Sequence, residues 1–251
     1  MKQHWNIRIA QLAVVVVFLL LWQWASEAKL IDPLFIGRPT GIFRYLFRGV
    51  FVDGVIIKEA LWTIGETLAA FILGSVTGIG FGLLFVVYPL SERFLDPILA
   101  GLNALPRVAL APLFLLWFGL GIASKVALGF SLTFFIVLSN TIAGARSVDP
   151  DWLTLSRTLG ASRSTIFFKV VLISAVPTIF SGLKLGLIYA LLGVIAGEII
   201  ASQHGLGQLL TYLAGTFDTN GVFAVLMFLG VLGVGLTKLM DALEGYLLKW
   251  R

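Results

Sequence analysis

The sequence predicts an all-α membrane protein with about six transmembrane helices. Of its 251 residues, 59% are apolar and 12% are charged, whereas soluble domains carry roughly 25% charged residues. Six apolar segments are long enough to cross about 30 Å of hydrocarbon at about 1.5 Å per residue. Backbone polar groups facing lipid must be satisfied within their own segment, which favours helices. The predicted spans are residues 8–25, 63–89, 97–118, 125–145, 170–199 and 222–246.

The first span is predicted to be retained rather than cleaved as a signal peptide. Lys2 and Arg8 precede the uncharged run 9–25, which ends with Trp22 and Trp24. No small-x-small cleavage pattern follows it, and aromatic residues at this position suit the membrane interface.

The distribution of Lys and Arg predicts that both termini are cytoplasmic. The segments assigned to the inside contain the basic residues Lys2, Arg8, Arg93, Arg146, Arg157, Arg163, Lys169, Lys249 and Arg251, whereas the outer loop 201–221 contains none. The outer segment 26–61 is the exception, with Lys29, Arg38, Arg44, Arg48 and Lys58. Because the net charge of +5 is spread along the flanks of apolar runs, it favours binding to membrane lipid rather than to nucleic acid.

An amphipathic helix is predicted within that outer segment. Phe43, Leu46, Phe47 and Val50 recur at i, i+3, i+4 and i+7. This spacing places them on one helix face, which we expect to lie along the outer membrane interface.

The second and third spans carry signals for close packing and for bending. Gly74, Gly78 and Gly82 form a small-residue stripe, which lets helix backbones approach closely in lipid. Pro106 and Pro112 each remove a backbone hydrogen bond, so the third span is predicted to be a bent helix.

Four polar residues in or near the spans are candidates for the translocation path or a gate. Burying Arg107 near the bilayer centre would be costly, so it is expected either to reach an interface, to pair structurally, or to line a permeation route. Asn140 could bond a neighbouring helix or a solute. Lys184 could be an inner-side contact or a cation for an anionic solute. Glu198 could hydrogen-bond a gate or be a solvated helix end.

A polar, basic segment, residues 146–169, separates the fourth and fifth spans. Asp149 followed by Pro150 predicts a helix start, because Asp accepts backbone N–H bonds at an N-cap and Pro is tolerated in the first turn. Arg157 suits the negative C-terminal turn, and Gly160 can end the helix in the left-handed conformation.

This short helix is predicted to present an apolar face. Trp152, Leu155 and Leu159 lie on one side of it. Two interpretations are open: the helix rests among lipid headgroups, or it docks into a groove of a soluble partner. A second helix start follows at Ser162 and leads into the fifth span.

The sequence lacks the usual signals of catalysis. The two histidines, His4 and His204, lie in a tail and in an outer loop. No nucleophile elbow, zinc motif or phosphate-binding loop is present, and the absence of cysteine excludes thiolate metal sites. We therefore expect no catalytic residue, metal or cofactor in this chain, and a role in transport.

Several motifs resemble bacterial ABC-importer permeases. The run "DPDWLTLSRTLGASRSTIFFKVVLISAVPTIFSGLKLGL" is similar to their cytoplasmic signature loop, E-A-A-x-x-x-G-x9-I-x-L-P. The runs "LDPILAGLNALPRVALAPLFLLWFGLGIASKVAL", "GEIIASQHGLGQLL" and "FDTNGVFA" resemble the nitrate/sulfonate/taurine (bicarbonate) subfamily. The resemblance covers roughly residues 55–251.

The signature loop is matched in part. Gly160 stands at the signature glycine, and Val170 and Leu172 stand at the I-x-L positions. The positions that depart from the family pattern are Thr154 in place of Glu, Ser156 in place of Ala, and Ile173 in place of Pro.

The resemblance implies a type I ABC importer transmembrane domain in a bacterial inner membrane, working as a dimer of permeases. Its implied partners are a cytoplasmic ATPase dimer, which binds ATP and Mg, and a periplasmic or lipid-anchored solute-binding protein. Residues 1–54 would form a first helix with an external segment, and residues 55–251 the permease domain. The implied ATPase-coupling residues are Asp149, Pro150, Trp152, Leu155, Arg157, Leu159, Gly160 and Arg163.

The solute implied by the resemblance is small, and the cations Arg107 and Lys184 would suit an anion. The main alternative is a secondary transporter driven by an ion gradient, which often has two related halves. The halves of this sequence show no mirrored broken helices.

Overall fold

The computed structural model describes residues 2–28 and 30–249, without the side chains of residues 2–6 and 8. This range contains helices and their connections but no strand. The α-helices are α1 Lys2–Glu27, α2 Pro33–Ile36, α3 Pro39–Phe51, α4 Val55–Val87, α5 Pro89–Ala104, α6 Ala111–Phe118, α7 Ile122–Arg146, α8 Pro150–Thr158, α9 Arg163–Ile166, α10 Leu172–Ile200, α11 Leu206–Gly215 and α12 Thr219–Leu247. A 3₁₀-helix, Arg107–Leu110, precedes α6, and a π-helix, Phe167–Val171, joins α9 to α10.

The prediction of about six spans is confirmed for the described residues. Five helical segments are long and apolar enough to cross a membrane, and a bent pair of helices brings the number to six if the pair is counted as one span. Of the basic residues used to predict orientation, Lys29 and Arg251 lie outside the described residues, as do the side chains of Lys2 and Arg8.

The second span begins earlier than predicted. Its helix α4 starts at Val55 instead of residue 63. Lys58 and Glu59 interrupt the apolar run in the sequence, yet Ile56 and Ala60 on the same turns are buried in a cluster with apolar side chains of α11 and α12. Packing against these helices therefore extends the helix past its most hydrophobic part.

The third predicted span, residues 97–118, is bent as its prolines predict, but the bend is a break between two helices. Helix α5 ends at Ala104, and the chain turns by 84° before it continues as Arg107–Phe118. Leu105, the residue before Pro106, has an extended backbone with ψ 136°, because the proline ring disfavours the helical conformation at the preceding position. Pro112 lies in the first turn of α6 and does not break it.

Helices α4, α7 and α10 form the packed centre of the bundle, with α7 in contact with both of the others. The glycine stripe of α4 is buried against α7, as the sequence predicts. Gly74, Gly78 and Gly82 lie opposite Thr133, Val137 and Thr141, respectively, so that a Cβ on any of these glycines would come within about 3.1 Å of an α7 atom. At the α7–α10 contact a Cβ on Gly193 would lie 2.8 Å from the Cα of Gly129.

Helix α1 is attached to the bundle near its C-terminal end. The Ser26 hydroxyl donates to the carbonyl of Gly37 at 3.0 Å, and the Trp22 ring meets Phe223 of α12 at 5.5 Å between centroids. Of the apolar stretch of α1 that could cross a membrane, only 6% is buried against the rest of the protein. The rest of α1 therefore presents apolar side chains to its surroundings.

The amphipathic helix predicted in the outer segment is α3, but its apolar residues divide between two directions. Leu46 and Val50 pack against the cluster formed by α4, α11 and α12, whereas Phe43 and Phe47 are exposed. The buried side of α3 includes Ile42, so the helix is part of the bundle as well as a candidate interface helix.

We predict that Gly78→Ala lowers the thermal unfolding midpoint of the protein in lipid nanodiscs. The new Cβ would lie 2.9 Å from the carbonyl oxygen of Phe134 and 3.1 Å from the amide nitrogen of Leu138. Because both are backbone atoms, α4 and α7 must separate, at a cost of about 1–3 kcal/mol. Gly80→Ala is the matched control, since no atom lies within 4 Å of its new Cβ; equal midpoints for the two variants would contradict the prediction.

Candidate functional site

The two ends of the bundle carry different candidate sites. Helix α8 lies at one end, between the C-terminus of α7 and the start of α9. Helix α11 lies at the other end, between α10 and α12. We refer to these as the α8 end and the α11 end.

Helix α8 is capped at both ends by its own sequence. The Asp149 carboxylate accepts the backbone N–H of Asp151 at 2.9 Å, and Pro150 occupies the first turn. Gly160 has φ +77°. Its N–H donates to the Arg157 carbonyl and that of Ala161 to the Ser156 carbonyl, both at 3.0 Å. This pair of bonds is the Schellman arrangement, which satisfies the last helical carbonyls.

The apolar face of α8 is open. Trp152, Leu155 and Leu159 are 61%, 51% and 77% exposed. The helix packs mainly against the short helix α9. Burying such a face against lipid or a partner is favourable at roughly 25 cal/mol per Å² of apolar surface.

A four-residue connection joins α8 to the longest helical segment of the bundle. Ser162 caps α9, with its hydroxyl oxygen accepting the N–H of Thr165 at 3.2 Å. Arg163 is the first residue of a 38-residue segment that runs to Ile200 through α9, the π-helix and α10. The structure thus places the exposed apolar face directly before this segment.

Arg107 lies at the break of the third span, where its guanidinium group contacts neutral side chains. Its central carbon is 4.4 Å from the ring centroid of Phe135 on α7, and Nη2 donates to the side-chain oxygen of Asn103. The buried Nε has no hydrogen-bond partner among the described residues. Arg107 therefore carries an unused donor inside the bundle.

Asn140 lines a pocket between α5, α7 and α10, close to Arg107. The pocket has a volume of about 290 Å³, and its lining residues are Asn103, Phe135, Ile136, Ser139, Asn140, Leu185 and Tyr189. Asn140 donates through Nδ2 to the Ile136 carbonyl at 2.8 Å. Two of the lining residues, Asn103 and Phe135, are the ones that Arg107 contacts.

Lys184 lies apart from this pocket's lining and is paired with carboxylates of α12. Its Nζ is 2.7 Å from Oδ1 of Asp241 and also pairs with Glu244. Two carboxylates outweigh one ammonium group, so the cluster carries a net negative charge. These ion pairs connect α10 to α12. Because they neutralise the charge of Lys184, this lysine is not suited to bind an anion.

Glu198 is buried at the α11 end, where it holds the start of α11. Its carboxylate accepts the Thr63 hydroxyl at 2.8 Å and the N–H of Gly207 at 2.7 Å. Thr63 in turn accepts the N–H of Leu206 at 2.9 Å, and Glu59 accepts the N–H of Gly205 at 2.7 Å. The N–H groups that begin a helix have no partner within it, and here α4 and α10 supply their acceptors.

The glycines of this turn are required by the close approach of Glu198. A Cβ on Gly205 would lie 2.0 Å from Oε1 of Glu198, and φ at Gly205 is +103°. A Cβ on Gly207 would lie 2.7 Å from the carbonyl oxygen of Ile195. The two glycines of the "HGLGQ" motif therefore leave the space that the Glu198 carboxylate occupies.

A buried ion pair beside Glu198 is absent from the sequence-based predictions. Lys125 Nζ on α7 lies 2.8 Å from Oε1 of Glu66 on α4, and both side chains are at most 5% exposed. Lys125 also donates to the Ser202 hydroxyl at 2.8 Å. The available signal was one charge of each sign in the predicted second and fourth spans, a combination that is costly in lipid unless paired.

The chain matches the family model described as "Binding-protein-dependent transport system inner membrane component" over residues 70–249. It is 32% identical over 232 residues to the formylaminopyrimidine transport permease protein ThiX of Halalkalibacterium halodurans, covering 91% of each chain. It is 31% identical over 235 residues to the putative aliphatic sulfonates transport permease protein SsuC of Bacillus subtilis, covering 94% of this chain and 85% of the other.

The fold is similar to that of a solved transporter. An inward-facing structure of the MetNI methionine ABC transporter aligns with a TM-score of 0.64 and 18% sequence identity, covering 73% of this chain and 91% of the other. At this identity the likeness shows the fold, which is that of a type I importer permease.

We predict that Glu198→Gln loosens the start of α11. A glutamine side chain has one acceptor oxygen in place of two, so the Thr63 hydroxyl and the Gly207 N–H cannot both keep their acceptor. Amide hydrogen exchange at Leu206 and Gly207 is expected to accelerate by about ten-fold, since hydrogen bonds to charged groups contribute about 1.5–3 kcal/mol. Asp53→Asn, which alters an exposed carboxylate paired with Arg48, is the control; unchanged exchange in Glu198→Gln would contradict the role assigned to this side chain.

Proposed function

The chain belongs to the family of binding-protein-dependent transport system inner membrane components, and on this basis we propose that it passes a small anionic solute from a binding protein to the cytoplasm. Its role is that of a permease subunit of an ABC importer, as in the relatives it matches. The alternative of a secondary transporter driven by an ion gradient finds no support among these relatives.

The proposal for how ATP drives this permease is based on helix α8. A two-turn helix that is capped at both ends and exposes Trp152, Leu155 and Leu159 is suited to a helix-in-groove contact with a soluble partner. We propose that the partner is a cytoplasmic ATPase dimer, which binds ATP and Mg, and that this chain has no catalytic site of its own.

The residues next to this face also support a coupling role for α8. Asp149, Pro150 and Gly160 set its two ends, and Arg157 in its last turn and Arg163 at the start of α9 add positive charge near it. The short connection to the 38-residue segment up to Ile200 would transmit a displacement of α8 into the bundle.

The assembly that follows contains two permease copies, two ATPase copies and a solute-binding protein. The α8 end, with both termini, would face the cytoplasm of a bacterial cell, and the α11 end would receive the solute from the binding protein. Residues 1–54 would be an addition outside the permease domain 55–251, which agrees with the peripheral attachment of α1.

The proposal of an anionic solute now depends on Arg107. Lys184, the second cation considered, is outnumbered by Asp241 and Glu244. The relatives are named for the transport of a formylaminopyrimidine and of aliphatic sulfonates, so membership of the family leaves the solute open.

Reconstituted vesicles provide the test of the permease function. Vesicles that contain this chain, the ATPase and the binding protein encoded with it are expected to accumulate the ligand of that binding protein only when ATP is supplied on the α8 side. Vesicles without the ATPase should accumulate none. Accumulation without the ATPase would contradict the proposal.

We predict that Trp152→Arg abolishes recovery of the ATPase with the permease while the permease still inserts in the membrane. Losing an exposed aromatic anchor and adding a charge at the centre of an apolar contact is expected to cost at least about 2 kcal/mol of binding. The measurement is the amount of ATPase that co-purifies with tagged permease.

Thr154→Arg is the matched control for this variant. It adds the same charge to the same helix at an exposed position, at least about 100° around the helix axis from Trp152, Leu155 and Leu159, and should retain most of the ATPase. Normal recovery of the ATPase with Trp152→Arg would contradict docking through this face.

A further inference from the structure

We propose that the pocket between α5, α7 and α10 is a solute-binding subsite for a small organic anion, a sulfonate or carboxylate with a compact apolar body. Arg107 recognises the charge from a position next to the lining, where it contacts the lining residues Asn103 and Phe135. The inference rests on the proposed permease function and adds to it a location and a ligand chemistry.

The first argument is the balance of charge. Lys125 is paired with Glu66 and Lys184 with two carboxylates. The contacts of Arg107 are the neutral side chains of Asn103 and Phe135, and among the described residues no carboxylate lies within ion-pair distance of it. Arg107 is therefore a cation in a membrane-crossing region whose charge is not balanced within the described chain.

The second argument is the unused donor of Arg107. Its Nε is buried without a hydrogen-bond partner among the described residues. A buried donor without a partner costs about 1–3 kcal/mol, and more when it belongs to a charged group. An oxyanion in the adjacent pocket stabilises the partly desolvated guanidinium charge, because guanidinium groups bind carboxylates and related oxyanions through their N–H groups.

The third argument is the polarity of the pocket face. Asn103 and Ser139 are exposed, and Tyr189 is 41% exposed, although all three belong to membrane-crossing helices. Polar groups directed at lipid are costly. This face is therefore suited to a water-accessible route rather than to the hydrocarbon.

The fourth argument is the division of the lining into polar and apolar sides. Asn103, Ser139 and Asn140 bring amide and hydroxyl groups, whereas Phe135 and Leu185 bring apolar surface. The side-chain oxygen of Asn103 accepts from Arg107, which leaves its amide N–H groups as donors at the wall. A ligand with an anionic head and a compact apolar body matches both sides.

Phe135 connects the charge to the pocket. It lines the pocket and also lies under the guanidinium group at 4.4 Å. The ring holds the planar guanidinium through a cation–π contact and offers its edge or face to the apolar body of the ligand. Lysine lacks the planar fork, so Arg107→Lys should not restore full binding.

Equilibrium dialysis of the permease–ATPase complex in lipid nanodiscs tests the inference without the binding protein. The probes are benzenesulfonate and benzoate, compared with the neutral benzenesulfonamide and benzamide. We expect the anions to bind at least about ten-fold more tightly than their neutral counterparts, the ratio that one lost charged hydrogen bond produces. Arg107→Gln should abolish this ratio, and Arg107→Lys should restore it in part.

Two further variants make the result interpretable. Lys58→Gln removes an exposed cation outside the pocket and should leave the ratio unchanged. Ser139→Trp fills the pocket from an exposed position and should remove binding of all four probes while Arg107 is intact, which tests the site even if Arg107→Gln fails to fold.

Absence of probe binding to the unaltered complex, equal binding of anions and neutral probes, or an unchanged ratio in Arg107→Gln would each overturn the subsite. ATP-driven uptake of the binding protein's ligand would persist in these cases if the permease function is right. Uptake without the ATPase would instead overturn the permease function itself.

Discussion

The close approach of α4, α7 and α10 is the constraint on which the rest of the structure depends. In lipid, apolar side chains gain little by leaving the hydrocarbon for one another, so helices associate through tight packing of backbones and through polar contacts. Glycines provide that approach on α4 at Gly74, Gly78 and Gly82, and on α7 and α10 at Gly129 and Gly193. The polar contacts then form between side chains that this packing brings together.

The α11 end shows how such packing organises polar groups. Glu66 and Lys125 neutralise one another across α4 and α7. Glu198 lies beside them, and it and its neighbour Thr63 accept N–H groups at the N-terminus of α11. Three spans and one short helix are thus fixed to each other at a single place by hydrogen bonds that lipid could not replace.

Much of the fold follows from features that are local in the sequence. Apolar length predicts the number of spans, and the order Asp149, Pro150, Gly160 predicts the bounds of α8 because caps depend on neighbouring residues. The break at Leu105 was underestimated, since a proline in an apolar run indicates a bend but not its angle. The start of α4 at Val55 depends on contacts with α11 and α12, which no local pattern contains.

The candidate sites likewise divide into features that local sequence predicts and features that depend on the packing of helices. The apolar face of α8 could be predicted from helical spacing alone. The partners of Lys184, Glu198 and Lys125 could not, because Asp241, Thr63 and Glu66 lie on helices that are distant in the sequence. Charges of opposite sign inside apolar spans indicate that pairs exist, but the pairing itself follows from the packing of the helices.

The resistance of α10 to bending differs along its length. Pro177 has no N–H to donate to the carbonyl four residues before it, and the π-helix Phe167–Val171 ends six residues earlier. After the π-helix and Pro177, α10 packs closely against α7 through Gly182, Gly186 and Gly193. Under the coupling proposed for α8, a displacement of α8 would bend this segment most readily at the π-helix, ahead of the part of α10 that packs against α7.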